Sequence, residues 1–254
     1  MKALSNFADC PNCGSGHKSR PLCLFANGWY CFSCGYTKVS DRGYTPVHNG
    51  RVVITDWPDA EWCFEAFSLD AQIWLTQYGI TAELAQFYNI HYIDNCLLFP
   101  VFDDSQNLVC YQKRNIKERA ITTYGQKLPH LLKSLVVIDT LVVVEDYISA
   151  IKVHTSGYSA LCLWGTSLST QELNIQFKNY NHIIVWLDND AAKEINSGQI
   201  GANKIIVMGN KILNKCYGFS FGTKTIHNIA TDKDPKCYNT TKINDLIQGV
   251  LHNE

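Results

Sequence analysis

Four cysteines form two C-x2-C pairs near the start of the chain, Cys10-Pro-Asn-Cys13 and Cys31-Phe-Ser-Cys34. Thiolates paired in this way bind Zn2+ tetrahedrally. Gly14 and Gly35 follow the second cysteine of each pair and let the backbone bend toward the metal. Four thiolates leave no open coordination position, so the zinc is expected to hold structure and do no chemistry. The chemistry falls instead to acids further along. Glu145 follows Val142-Val143-Val144, and Asp188 and Asp190 flank Asn189 after the run Ile183 to Leu187. Carboxylates at strand ends can hold one or two Mg2+ ions, which can position a triphosphate and stabilise both oxygens of an in-line displacement. A single acid there ordinarily caps a helix or turns the chain, and Asp188-Asn189-Asp190 could simply cap the next helix. A second acidic strand end in the same sheet favours the metal reading.

Cations are clustered although the net charge of the chain is only −1. Lys2, Lys18, Arg20 and Lys38 face only Asp9 within the first forty positions. Lys113, Arg114, Lys117, Arg119, Lys127 and Lys133 face only Glu118 in the second cluster. Two local basic patches in a near-neutral chain suit a polyanion, although each is also compatible with a solvated face.

The 254 residues suit one or two domains, and a 46% hydrophobic, 12% aromatic composition can build a proper core. The seven cysteines outside the pairs, Cys23, Cys63, Cys96, Cys110, Cys162, Cys216 and Cys237, are scattered and odd in number. They do not read as a disulfide framework. No secretory signal is expected at the start, and the longest apolar stretch, Leu135 to Val144, is too short to span a bilayer. A reducing cytoplasm is the expected setting, and no membrane partner is expected.

The elements that must position these groups follow from periodicity. Residues 1–39 are expected to be a zinc-binding ribbon, with Gly28 to Phe32 as one strand, and 40–57 a linker rich in turn residues. Residues 58–134 form a first subdomain. It is expected to be helical over Ala60 to Phe67 and Leu69 to Tyr78, with Thr81 capping a third helix through Asn89. A hairpin follows, Cys96 to Phe102 and Leu108 to Lys113. Residues 135–254 alternate strands with helices. Strands are expected at Leu141 to Glu145, Tyr158 to Leu163, His182 to Leu187 and Lys204 to Met208. Helices are expected at Ile148 to His154, Thr170 to Lys178 and Ala191 to Asn203. The fold class is α/β, with a Rossmann-like parallel sheet covered by helices on both faces. Gly218 to Thr225 mimics a phosphate-binding loop, but its spacing departs from the Walker pattern, and it reads as a turn.

Strand-Glu followed two strands later by hydrophobic-Asp-x-Asp resembles the TOPRIM domain of primases and topoisomerases. The four-cysteine ribbon in front narrows the resemblance to DNA primases, nearest those of bacteriophages such as the primase half of the T-odd phage primase–helicases. Phe99-Pro-Val-Phe-Asp103 with Tyr111-Gln-Lys-Arg114 resembles the motif ahead of the TOPRIM fold. Gly165 and Asp232-Lys-Asp-Pro-Lys236 also fall in the family's order.

The resemblance implies roles residue by residue. Glu145 would be a metal ligand or the proton acceptor for the primer 3′-hydroxyl. Asp188 and Asp190 would hold Mg2+, or Mn2+ in its place, and Asp234 would be a further acid nearby. Lys113 and Arg114, extended by Lys117 and Arg119, would face nucleotide phosphates or the template. The ribbon would read the template through His17, Lys18, Arg20, Trp29 and Tyr30, although Trp29 and Tyr30 equally suit a ribbon core. Two positions depart from the family. TOPRIM domains usually follow the glutamate with glycine and place an aspartate further along that helix, where this chain has Asp146 and Ser149.

The implied activity is primer synthesis from ribonucleoside triphosphates on single-stranded DNA, with a separate replicative helicase as the expected partner. A TOPRIM nuclease and a zinc-ribbon single-stranded DNA-binding protein with an inert TOPRIM domain remain the alternatives.

Overall fold

The computed structural model describes residues 5–7, 22–25, 28–31, 37–39, 47–48, 51–52, 54, 57–103, 106–125, 128–136, 138–189, 194–216 and 224–252. Up to residue 52, and at 215–216, it describes the backbone alone. The chain divides into two compact units, one of residues 1–62 and 89–127, the other of 63–88 and 128–254.

The first unit begins with four short strands, β1 (Ser5–Phe7), β2 (Leu22–Phe25), β3 (Gly28–Cys31) and β4 (Thr37–Val39), paired antiparallel in chain order. Cys31 ends β3, while Cys10, Cys13 and Cys34 lie outside the described residues. A two-residue ladder joins β5 (Val47–His48) to β6 (Arg51–Val52). The second sheet of this unit is an antiparallel meander of β7 (His91–Ile93), β8 (Cys96–Phe102), β9 (Leu108–Asn115) and β10 (Ile121–Gly125). The β8–β9 hairpin falls where the sequence places it, over Cys96 to Phe102 and Leu108 to Lys113. Asp103 closes the β8–β9 turn, accepting from the Asn107 backbone N–H at 2.9 Å. Leu98, Leu108 and Tyr111 form its small core, packed by Ile54, Trp57, Ala60 and Ile93.

The second unit opens with a 3₁₀ turn over Phe64–Ala66 and two short helices, α1 (Leu69–Thr76) and α2 (Ala82–Phe87). The helix expected over Ala60 to Phe67 shrinks to that turn, because Glu61 instead pairs its backbone with Tyr92. Ser68 and Thr81 cap α1 and α2, their hydroxyls accepting from Ala71 and Leu84 N–H groups.

A five-stranded sheet follows. Its strands are β11 (His130–Leu132), β12 (Thr140–Val144), β13 (Ser159–Cys162), β14 (His182–Trp186) and β15 (Thr225–Asn228), ordered β11-β13-β12-β14-β15. All neighbours run parallel except β11, which is antiparallel to β13. The helices are α3 (Tyr147–Thr155), α4 (Thr170–Asn179), α5 (Ser197–Cys216) and α6 (Thr240–Leu251). Leu141 and Val143 face a core completed by Leu173 and Phe177 of α4 and Ala202, Ile205 and Ile212 of α5. Val142 and Val144 point the other way and are also fully buried, and α3 packs against β12, β13 and α6. A strand buried on both faces needs the continuous apolar run that β12 has. Burying each such valine or leucine is worth roughly 1.5–3 kcal/mol.

Two expectations are corrected. Lys204 to Met208 is not a strand but the middle of α5, and the helix expected over Ala191 to Asn203 begins only at Ser197 among the described residues. The β-branched run Ile205-Ile206-Val207 imitates a strand, yet Gly198, Gly201, Ala202, Ile205, Gly209 and Ile212 are the buried positions, which is helical spacing. The fourth parallel strand is instead β15. No helix among the described residues is long and apolar enough to cross a membrane.

Candidate active site

The sheet reverses its winding direction at β12. The chain leaves β12 through α3 to β13 on one side, then crosses through α4 to β14 on the other. The crevice beyond the carboxyl ends of strands flanking such a switch point is where open α/β sheets bind ligands. Val144 pairs with Trp186 across these strands. Continuing that register by two residues sets Asp146 opposite Asp188. The acids at the strand ends therefore converge because of strand pairing.

Asp146 is the N-cap of α3, its Oδ1 accepting from the Ser149 N–H at 3.1 Å. Its Oδ2 accepts from the Ser149 hydroxyl at 2.9 Å and from the Lys236 ammonium at 2.8 Å. Lys236 Nζ also lies 2.6 Å from Asp234 Oδ2 and 3.9 Å from Asp188 Oδ2. One carboxylate oxygen from each of Asp146, Asp188 and Asp234 lies within 4.8 Å of the others. Asp188 Oδ1 is buried and has no hydrogen-bond partner among the described residues.

The electrostatics divide these groups. Burial works against the Asp146 carboxylate, but Lys236 and the Ser149 hydrogen bonds outweigh it and hold its pKa below the usual range. Burial also disfavours the Lys236 ammonium, yet Asp146 and Asp188 hold its pKa above the ordinary lysine value. Asp188 goes the other way. Burial, with the charges of Asp146, Asp234 and Glu145, overcomes Lys236 and pushes its pKa up to about 8. Glu145 is half-buried at the end of β12, and its carbonyl accepts from the Gly165 N–H at 3.1 Å.

Close packing fixes the Asp188 turn. A Cβ on Gly198 would fall 2.0 Å from the Asp188 carbonyl oxygen, so only glycine lets the start of α5 approach so nearly. Gln199 Nε2 donates to the Leu187 and Asp188 carbonyls at 3.2 and 3.4 Å. Asn189 Nδ2 donates to the Thr231 carbonyl at 3.0 Å, and Trp186 Nε1 donates to the Thr231 hydroxyl at 2.8 Å. These bonds tie the β14 turn to the segment that carries Asp234 and Lys236. Pro235 opens a 3₁₀ turn over Pro235–Cys237 and sets the two on adjoining sides of it.

The structure thus brings together Asp188 and Asp234 from the expected set, with Glu145 acting on Asp188 electrostatically. Asp190 lies outside the described residues. Lys113 and Arg114 lie on β9 in the other unit, opposite Thr122 and Ile121 of β10, and Lys117 and Arg119 are exposed in the turn that follows. Arg119 takes a left-handed backbone, φ 57°. His17, Lys18 and Arg20 lie outside the described residues, and Trp29 and Tyr30 belong to β3. Sequence reasoning left Asp146 out of the firm catalytic set and named Lys236 only as the end of the Asp232–Lys236 motif, without a role. The signal for Lys236 was its place two residues after Asp234, across a proline.

An all-carboxylate donor set suits a hard divalent cation such as Mg2+. The buried, partnerless Asp188 Oδ1 is the atom such an ion would satisfy.

No family model matches the chain, and no curated protein matches it by sequence. Solved structures do match. The primase fragment of the bacteriophage T7 primase-helicase protein is similar over 96% of this chain and 98% of its own, at 17% identity and a TM-score of 0.53. A DnaG primase catalytic domain bound to single-stranded DNA is similar over 75% of this chain and 74% of its own, at 12% identity and a TM-score of 0.56. The Aquifex aeolicus primase, solved with zinc-binding and RNA polymerase domains, is similar over 72% of this chain and 56% of its own, at 13% identity and a TM-score of 0.54. The chain has the mixed α/β, TOPRIM-type fold of primase catalytic cores.

Proposed function

We propose that this chain is a DNA primase, a template-directed RNA polymerase that joins ribonucleoside triphosphates into short primers on single-stranded DNA and releases pyrophosphate. One observation carries the reading. Asp146, Asp188 and Asp234 converge, with Glu145 adjoining, at the switch point of a sheet whose fold is that of primase catalytic cores.

In this reading Asp188, with Asp190 and Glu145, holds Mg2+, or Mn2+ in its place. When bound, the ion would offset negative charge on the triphosphate and favour the ionised form of the attacking hydroxyl. Glu145 accepts the proton of the primer 3′-hydroxyl or joins the ligand set. Asp234 orients Lys236 and lies against the nucleotide. Lys113 and Arg114, with Lys117 and Arg119, neutralise nucleotide or template phosphates.

Cys10, Cys13, Cys31 and Cys34 hold a structural Zn2+. Around it His17, Lys18, Arg20, Trp29 and Tyr30 contact the template. Residues 1–39 act as the template reader and 40–57 as a linker. Residues 58–134 and 135–254 are the two parts of the polymerase, with a separate helicase as partner.

The test is incorporation of labelled ribonucleotides on a single-stranded DNA template with Mg2+. Synthesis of short RNA supports the reading. Template cleavage without synthesis points to a nuclease, and binding without turnover points to an inert binding protein.

A further inference from the structure

We infer that Lys236 is a built-in cation that takes the place of a second divalent ion, leaving the nucleotide-free cluster with one. This rests on reading the cluster as a divalent-cation site, but its test needs no primer synthesis. The argument comes from how the carboxylate oxygens are already used. Both oxygens of Asp146 are engaged, Oδ1 by the Ser149 N–H and Oδ2 by the Ser149 hydroxyl and Lys236. Asp234 gives its Oδ2 to Lys236 at 2.6 Å. Asp188 is 3.9 Å from the ammonium, beyond hydrogen-bond reach, and its Oδ1 has no partner among the described residues.

An ion entering between Asp146 and Asp234 would have to displace an ammonium held by two charge-assisted hydrogen bonds, on Asp146 Oδ2 and Asp234 Oδ2. An ion entering at Asp188 breaks no hydrogen bond of that carboxylate among the described residues and satisfies a buried oxygen. Ser149 belongs to the same device. Its hydroxyl and N–H orient Asp146 toward Lys236, where an acid at 149 would instead add a third charge to the pair. Lys236 thereby presents fixed positive charge to the phosphates of a bound triphosphate without exchange with solvent.

The experiment is Mn2+ binding to the zinc-loaded, nucleotide-free chain, counted by electron paramagnetic resonance of free Mn2+. The wild type should bind one ion at this cluster, and Asp188→Ala should lose it. Lys236→Met should bind two, because Asp146 and Asp234 are released, while Lys236→Arg should still bind one. Two ions on the wild type, or one on a folded Lys236→Met chain, overturns the inference. If Lys236→Met does not fold, the wild-type and Lys236→Arg counts still decide, since two ions on either contradicts it.

Discussion

Lys236 Nζ lies 2.8 Å from Asp146 Oδ2, joining positions 90 residues apart in the chain. Asp146 also caps α3, so one carboxylate fixes a helix terminus and holds a cation in the crevice. Asp146→Asn keeps the shape and part of the cap but leaves Lys236 with Asp234 as its remaining close partner. The two side chains are about a fifth exposed, 19% and 23%, which moderates the cost. The expected destabilisation is about 1–3 kcal/mol, read as a lower urea midpoint at constant slope. An unchanged midpoint would show that the pair does not hold the fold.

Asp188 sets the pH response. Its folded pKa is raised from 3.8 to about 8, so the folded chain keeps a proton that the unfolded chain gives up near pH 4. Its contribution to stability is therefore full below pH 4, falls as pH rises toward 8, and levels off above it. A divalent ion needs the ionised form, so its binding should release about one proton at pH 6.5 and tighten up to about tenfold per pH unit until pH 8. Calorimetric titration with Mg2+ in buffers of different ionisation enthalpy measures both. Binding that is independent of pH across this range would contradict the assignment.

Gly198 stands against the Asp188 carbonyl. Gly198→Ala puts a Cβ 2.0 Å from that oxygen, and backbone on one side must move. Helix propensity alone would favour alanine by about 1 kcal/mol, so any loss isolates the clash. A lower melting temperature and weaker Mn2+ binding are expected. A variant more stable than wild type with full metal affinity would show that the approach is not required.

The parts of this arrangement that lie in single segments were readable from sequence. Val142 to Val144 and Ile183 to Leu187 are continuous apolar runs, and such runs ending in acids mark buried strands that deliver side chains to a crevice. Lys204 to Met208 misled because β-branched residues favour strands locally, whereas packing of Ala202, Ile205 and Ile212 against the sheet decides for a helix. β15 was hidden because a four-residue edge strand, Thr225–Asn228, with one buried side chain carries almost no pattern. The role of Lys236, named only as the end of a motif, was hidden for a different reason. Its value comes from meeting Asp146 across the fold, and no local periodicity reports a contact of that kind.

The cysteine pairs make a separate prediction. The chain should contain one Zn2+ per molecule by atomic absorption, and Cys34→Ser should lose it. Because four thiolates do no chemistry, the variant should lose template-directed initiation far more than the fold of residues 128–254. Sequence-specific priming by a zinc-free Cys34→Ser chain would remove the template-reading role from the ribbon.

The most direct measurement is synthesis of labelled RNA from ribonucleoside triphosphates on single-stranded DNA by the wild type and Asp188→Ala, with template binding measured on both. The prediction is short primers from the wild type, a loss of at least about a hundredfold in Asp188→Ala, and template affinity largely retained. Primer synthesis by Asp188→Ala at the wild-type rate, or none by the zinc- and Mg2+-loaded wild type on any template, would contradict it.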